Sequence, residues 1–231
     1  MLLVGNASAD DMIHITVYGD SLTSGYQLQP EEAFPAKLDR KLRKVGYTNV
    51  KVTNMSVAGE TTADALARLD RLIITRPDIV ILELGFNDAQ RGISPAIIYT
   101  NLVSMVEQLQ KNKIIVVLVG ARGSASLGYE YNAQLEACYS RIAKLDSVAL
   151  YPFVLEGIVG KQDLNLADGT HPSAMGVDVM VENMYPLIDG VVRAKYEQMR
   201  YEQQYQQQYQ QQYQQQESIY EQAPVPVQPI P

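Results

Sequence analysis

Three stretches of the chain are almost continuously apolar: 12–19 (MIHITVYG), 78–85 (DIVILELG) and 113–120 (KIIVVLVG). The last two run through Ile, Val and Leu without alternation, the pattern of strands covered on both faces, as in a parallel sheet. Two further runs, 50–57 (VKVTNMSV) and 148–153 (VALYPF), read as shorter or edge strands.

Between the strands the apolar period changes from two to nearly four. Thr61 with Asp64 forms a capping-box pattern ahead of Leu66, Leu69, Leu72 and Ile73, which share one helical face. Ser94-Pro95 supplies a cap and a first-turn proline before Ile98, Leu102, Val106 and Leu109. Helices are also expected over 34–45 and 130–145. A final one is marked by Val177, Met180, Val181, Met184, Ile188 and Val191, which Pro186 should kink or shorten. Strands alternating with helices imply βαβ units joined by right-handed crossovers, with helices on both faces of a parallel sheet. Function in such folds gathers at the carboxyl ends of the strands.

After about Arg193 the pattern breaks down. Residues 201–216 (YEQQYQQQYQQQYQQQ) repeat a four-residue unit, and 223–231 (APVPVQPIP) alternate proline with apolar residues. As a helix, this segment would carry Tyr201, Tyr205, Tyr209 and Tyr213 as an i, i+4 stripe suited to weak self-association. Glutamine supplies no apolar core, however, so a solvated low-complexity tail with an extended polyproline end is the favoured expectation. The chain thus divides into a possible signal-peptide remnant at 1–9, a folded body at 10–193 and a tail at 194–231.

Composition narrows the function. The 231 residues carry a net charge of −7, which leaves no basic surface for a nucleic-acid partner. No apolar run approaches the roughly 18–20 residues needed to span a bilayer. The single cysteine, Cys138, excludes an intramolecular disulfide and a thiolate cluster. With only His14 and His171 besides, no histidine-rich metal site can form, and no metal is expected. Cys138 sits on an apolar helical face with Leu135, Ala137, Ile142 and Leu145, which fits a small buried residue better than a reactive thiol. The first nine residues, MLLVGNASA, end in Ala-x-Ala like the back half of a secretory signal peptide, so export to the periplasm or medium is expected, with a cytoplasmic location as the alternative.

Candidate chemistry starts at 17–26 (VYGDSLTSGY), where a strand runs into Ser21. A serine hydroxyl is a weak nucleophile until a base takes its proton and a third group orients that base. His14 lies inside an apolar strand, where a packed, hydrogen-bonded imidazole is expected. His171 lies in a polar turn (LADGTHPSAMG) with Asp168 three residues earlier, close enough for the carboxylate to meet Nδ1 and leave Nε2 for a hydroxyl. Gly59 (SVAGETT) and Asn87 (ELGFND) each follow a strand, where a backbone N–H and a side-chain amide are candidate donors to an oxyanion. Each is equally readable alone as a turn glycine or an Asx turn.

Taken in order, Gly-Asp-Ser-Leu at 19–22, Gly59, Gly-x-Asn-Asp at 85–88 and Asp-Gly-x-His-Pro at 168–172 resemble the four sequence blocks of the SGNH, or GDSL, hydrolase superfamily. The resemblance covers about residues 12–193. GDSLTSGY, FPAKL, NMSVAGETTADALARL, IVILELGFNDAQRGI and GYEYN are most similar to phrases of its bacterial multifunctional thioesterase/lysophospholipase/arylesterase group. It implies a three-layer α/β/α sandwich around a mostly parallel five-stranded sheet, flavodoxin-like in class. It further implies Ser21 as nucleophile, His171 as general base and acid, and Asp168 as its orienter, with the Ser21 N–H, the Gly59 N–H and the Asn87 side chain as the oxyanion hole. No cofactor is implied.

The activity so implied is hydrolysis of carboxylic esters, including lysophospholipids, and of acyl thioesters, through an acyl-serine intermediate. The alternatives are a carbohydrate O-acetylesterase using the same residues and a non-catalytic scaffold acting through its tail. Phe86 departs from the group, which has glycine there, and a phenyl ring beside Asn87 would narrow or line the acyl pocket. The loop 120–132 (GARGSASLGYEYN) offers a second candidate wall for an acyl chain, with ordinary loop packing as an equal reading. Gly-x-Ser-x-Gly is absent, since Leu22 and Thr23 follow Ser21, which disfavours an α/β-hydrolase elbow.

Overall fold

A computed structural model describes residues 12–145 and 148–222 of the chain. Five strands form one sheet: β1 (Ile13–Gly19), β2 (Val50–Asn54), β3 (Ile79–Glu83), β4 (Ile115–Val119) and β5 (Val148–Tyr151), in the order β2-β1-β3-β4-β5 with every neighbouring pair parallel. β3 is buried along its whole length and β4 nearly so, as their unbroken apolar runs require.

Among the described residues eight α-helices connect and follow the strands: α1 (Ser21–Ser24), α2 (Phe34–Lys44), α3 (Thr62–Ala67), α4 (Leu69–Ile74), α5 (Phe86–Gln90), α6 (Pro95–Lys111), α7 (Gly128–Ile142) and α8 (Ala174–Gln222). One core cluster joins Val80, Leu82, Val116 and Leu118 of the sheet to Leu69 and Leu72, to Ile98, Leu102, Met105, Val106 and Leu109 of α6, and to Leu135, Tyr139 and Ile142 of α7. With strands in this order, successive connections run in opposite directions from β1, and the crevice lies between β1 and β3 at their carboxyl ends.

Three local expectations change. The helix expected over 61–73 is two helices that meet at Arg68, whose side chain lies over the Tyr18 ring with Cζ 4.0 Å from its centroid. His14 is not packed: its side chain is exposed at the start of β1, while its backbone N–H donates to Asp78 Oδ2 at 2.9 Å. Pro186 lies inside α8 without ending it, because Met184 and Ile188 on either side are both buried and hold the backbone helical.

The chain forms two compact units, 1–192 and 193–231. In the second, residues up to Gln222 are helical, and Tyr201, Tyr205, Tyr209 and Tyr213 are all exposed. Glutamine and glutamate are good helix formers, and lengthening a formed helix adds a hydrogen bond per residue without a new nucleus. Residues 1–9 and 223–231, on which the signal-peptide and polyproline expectations rest, lie outside the described residues. Among the described residues no helix is long and apolar enough to cross a membrane.

Candidate active site

Ser21 is the first residue of α1, directly after β1. Asp20 caps that helix: its Oδ1 accepts from the Leu22 N–H at 2.9 Å and its carbonyl from the Ser24 N–H at 2.9 Å. First-turn amides have no partner within the helix, and no described bond engages the Ser21 N–H, which leaves it available to a ligand. Ser21 itself is 5% exposed.

His171 arrives on a loop closed by its own backbone. The Leu166 N–H donates to the His171 carbonyl at 2.8 Å, the Ser173 N–H donates to the Leu164 carbonyl at 2.9 Å, and Asn165 bridges Pro172. Asp168 Oδ1 accepts from the Thr170 and His171 N–H groups at 2.9 and 3.0 Å, an Asx turn that fixes the carboxylate. Its other oxygen, Oδ2, lies 2.7 Å from His171 Nδ1, and His171 Nε2 lies 2.9 Å from Ser21 Oγ. A carboxylate only accepts, so Nδ1 carries the proton and the neutral ring presents a bare Nε2 to the serine hydroxyl. The backbone N–H groups of His171 and then Thr170, followed by the His171 side chain, hold the Asp168 carboxyl down at about 2, so it is ionised at neutral pH. The Tyr26 ring lies against the imidazole, 4.4 Å between centroids and tilted by 39°.

The expected oxyanion donors come from the next two strands. After β2 the chain keeps pairing with β1, with the Met55 N–H on the Val17 carbonyl and the Val57 N–H on the Gly19 carbonyl, so the 55–60 loop runs beside Ser21. Gly59 adopts φ +83°, a conformation open to glycine, and its carbonyl accepts from Arg91 Nη2 at 2.9 Å. The neighbouring Glu60 is clamped by Arg68, with Nε 2.6 and 2.8 Å from its two carboxylate oxygens. Asn87 follows β3 at the start of α5. Both hydrogens of its amide are engaged, one by Asp20 Oδ2 at 2.9 Å and one by the Glu60 carbonyl at 3.0 Å. To reach an oxyanion it must give up or share one of them, and the neutral carbonyl is the weaker competitor.

Several polar residues around this set were not apparent from sequence. Asp88, fully buried, accepts from the Thr62 N–H at 2.8 Å and hydroxyl at 2.5 Å, tying α3 to α5. Glu83 is fully buried at the end of β3, and the signal for it was a single acid in the apolar run IVILEL. Burial, first of all, and then the charge of Asp20 push the Glu83 carboxyl well above its ordinary range. Asp20 is itself raised by burial to about 6, against hydrogen bonds from Leu22 and Asn87 that favour its ionised form. Arg68 and Arg91 are further supports for the 59–60 segment.

The remaining candidates lie elsewhere. Phe86 is half-buried and packed against the core cluster, and so are Leu127 and Tyr131 of the 120–132 loop, whose turn is pinned by Asn132 to Gly123, Ser124 and Gly128. Cys138 is buried with Sγ 3.2 Å from the Pro95 carbonyl, and burial raises its thiol. Among the described residues no three His, Cys, Asp or Glu side chains are grouped to hold a metal ion.

A doubly wound parallel sheet with a serine, an imidazole and a carboxylate linked in series at its switch point is the frame of a serine hydrolase. The chain belongs to the GDSL-like lipase/acylhydrolase family, which it matches over residues 17–179. It is 34% identical over 189 residues to the esterase TesA of Pseudomonas aeruginosa, covering 81% of this chain and 92% of the relative. Identity is 31% over 194 residues to the thioesterase 1/protease 1/lysophospholipase L1 of Escherichia coli, covering 82% and 90%. The psychrotrophic esterase EstA of Pseudoalteromonas sp., in a crystal structure inhibited by monoethylphosphonate, superposes with TM-score 0.73 at 29% identity, covering 78% of this chain and 98% of that one. The protein is accordingly an SGNH/GDSL-type serine esterase acting on small-molecule esters.

Proposed function

We propose that Ser21, His171 and Asp168 form the catalytic triad of an esterase whose substrates are lysophospholipids and other acyl esters, with acyl thioesters as a second class. The observation that carries this reading is the unbroken chain from Asp168 Oδ2 through the imidazole to Ser21 Oγ, at 2.7 and 2.9 Å.

His171 Nε2 takes the Ser21 proton as Oγ attacks the acyl carbon, and Asp168 stabilises the imidazolium that results. The carbonyl oxygen becomes an alkoxide, met by the Ser21 N–H, the Gly59 N–H and the Asn87 amide hydrogen released from the Glu60 carbonyl. The imidazolium then returns its proton to the leaving alcohol or thiol as the C–O or C–S bond breaks, and an acyl-serine remains. In the second half His171 removes a proton from water, hydroxide adds to the acyl carbon, and Ser21 leaves with that proton. Asp168 stays ionised throughout, and water is the one co-reactant of the second half.

The substrate class draws on the names of the relatives, a lysophospholipase and a thioesterase among them. An ester series from acetyl to palmitoyl, with S21A alongside, tests it. Turnover rising with chain length and lost in S21A is expected. A sharp acetyl optimum would turn the reading to a carbohydrate acetylesterase, and undiminished turnover by S21A would sink it.

Residues 10–193 serve as the catalytic domain, and 194–231 as an accessory segment whose exposed tyrosine stripe supports weak self-association. Removing 197–231 should leave ester turnover within about twofold and abolish any concentration-dependent sedimentation. The Ala-x-Ala of residues 7–9 supports export, and N-terminal sequencing of native protein should begin at Asp10.

A further inference from the structure

Asp20 and Glu83 are two fully buried acids that meet at the β1–β3 pair, where the Asp20 N–H donates to Glu83 Oε2 at 3.4 Å. Among the described residues no lysine or arginine donates to either of them. Two neighbouring ionised carboxylates in a buried site with no cation beside them repel, so one must hold a proton. The donors show which. Asp20 accepts from the Leu22 N–H and the Asn87 amide, at 2.9 Å each, which suits an anion. Glu83 Oε2 accepts from the Thr23 hydroxyl at 3.1 Å and the Asp20 N–H at 3.4 Å, whereas Oε1 is buried without a hydrogen-bond partner. An orphaned buried carboxyl oxygen is costly as an acceptor but natural as the oxygen that bears the proton.

Resting on the catalytic reading above, we propose that Glu83 is a positioning residue: a neutral carboxylic acid that donates its Oε1 proton to Asp20, fixing the carboxylate that holds the Asn87 amide and the Ser21 turn. The other titratable groups around the pair are His171, which faces Asp20, and Tyr139 from α7, which faces Glu83 and donates to the Leu84 carbonyl at 2.8 Å. Room for the acid is made by glycine. Gly19 is paired in register with Glu83, and a Cβ on it would lie 2.7 Å from the Glu83 carbonyl oxygen and 2.8 Å from Oε2. The glycine and aspartate of the Gly-Asp-Ser-Leu block are thus both matched to Glu83 on the neighbouring strand.

Asp20 touches both the turn that carries the nucleophile and the amide expected to stabilise the oxyanion. Losing the Glu83 hydrogen bond frees that carboxylate, and the damage falls on transition-state stabilisation. E83L should lower kcat by about tenfold to a hundredfold with KM within about twofold. E83Q, neutral and of the same shape with an N–H to offer Asp20, should recover to within about threefold of wild type. In the infrared, the wild-type protein at neutral pH should show the carbonyl stretch of a protonated carboxylic acid, and E83Q should lack it.

The idea is overturned if that band is missing from wild type or survives in E83Q, if E83Q loses as much kcat as E83L, or if E83L turns over like wild type. S21A measured alongside separates the two readings. If S21A remains active, the catalytic assignment fails whatever the acid band shows. An inactive S21A with no acid band removes only the Glu83 proton.

Discussion

His171 Nε2 lies 2.9 Å from Ser21 Oγ, although 150 positions separate the two residues in sequence. Two independent pieces of local structure make this contact. The β1–α1 junction lifts the serine over the sheet edge, and the Asp168 turn fixes the ring plane of the histidine through three hydrogen bonds.

Asp168 selects the tautomer, so D168N should damage catalysis more than folding. Its amide can offer a hydrogen to Nδ1, which favours the ring with the proton on Nε2, where it cannot accept from Ser21. Steady-state assays should give a kcat lower by about a hundredfold or more with KM nearly unchanged. A kcat within a few-fold of wild type would mean that the ring is oriented by other contacts, of which Tyr26 is the first candidate.

The same aspartate sets an acid-side stability window. Its carboxyl is held down at about 2, chiefly by the His171 and Thr170 N–H groups. The folded value is depressed below the unfolded 3.8, so its stabilising effect is present above about pH 4 and is lost as pH falls through 2. Denaturant midpoints of D168N and wild type should therefore differ most above pH 4 and converge toward pH 2. The effect should be small, because the carboxylate is 39% exposed.

Glu83 works in the opposite sense. Its folded value is raised, so its favourable contribution is complete below the unfolded 4.5 and is lost progressively as pH rises above it. The slope can reach about 1.4 kcal/mol per pH unit. E83Q carries no such proton and should be more stable than wild type at pH 8, with the difference closing toward pH 4. Parallel unfolding curves at all pH values would show that Glu83 is ionised in the fold.

Gly85 has φ +115°, and a Cβ there would strike the Tyr139 hydroxyl. G85A should cost about 2–4 kcal/mol, from the left-handed backbone and the overpacking together. The double variant G85A/Y139F removes the struck oxygen and should recover part of that loss, a coupling of about 1 kcal/mol in a double-mutant cycle. Strict additivity would place the strain in the backbone alone.

The strands and most of the helices were legible because continuous apolar runs and caps such as Thr61 and Ser94 are local signals. Ser21, His171 and Asp168 stood out as candidates because nucleophile, base and orienter need particular residue types and the chain has only two histidines, and the fold brings the three side chains together. Supports that act across the fold left weaker traces. Glu83 was visible only as an acid inside an apolar run, and its meaning depends on Gly19 and Asp20 across the strand pair. Nothing local in the sequence ties Arg68 and Arg91 to the 59–60 segment, whose Glu60 carboxylate and Gly59 carbonyl they bind. His14 was misread because it sits at the exposed start of β1, whereas Thr16 and Tyr18, further along the same face, are buried.

The central claim is that Ser21 is the residue that becomes acylated. Incubation with a reactive phosphonate ester, followed by intact-mass measurement and peptide mapping, should show one adduct per chain, located on Ser21, appearing in step with loss of esterase activity. S21A should take up none and should not turn over ester. An adduct on another residue, or full ester turnover by S21A, would contradict the account.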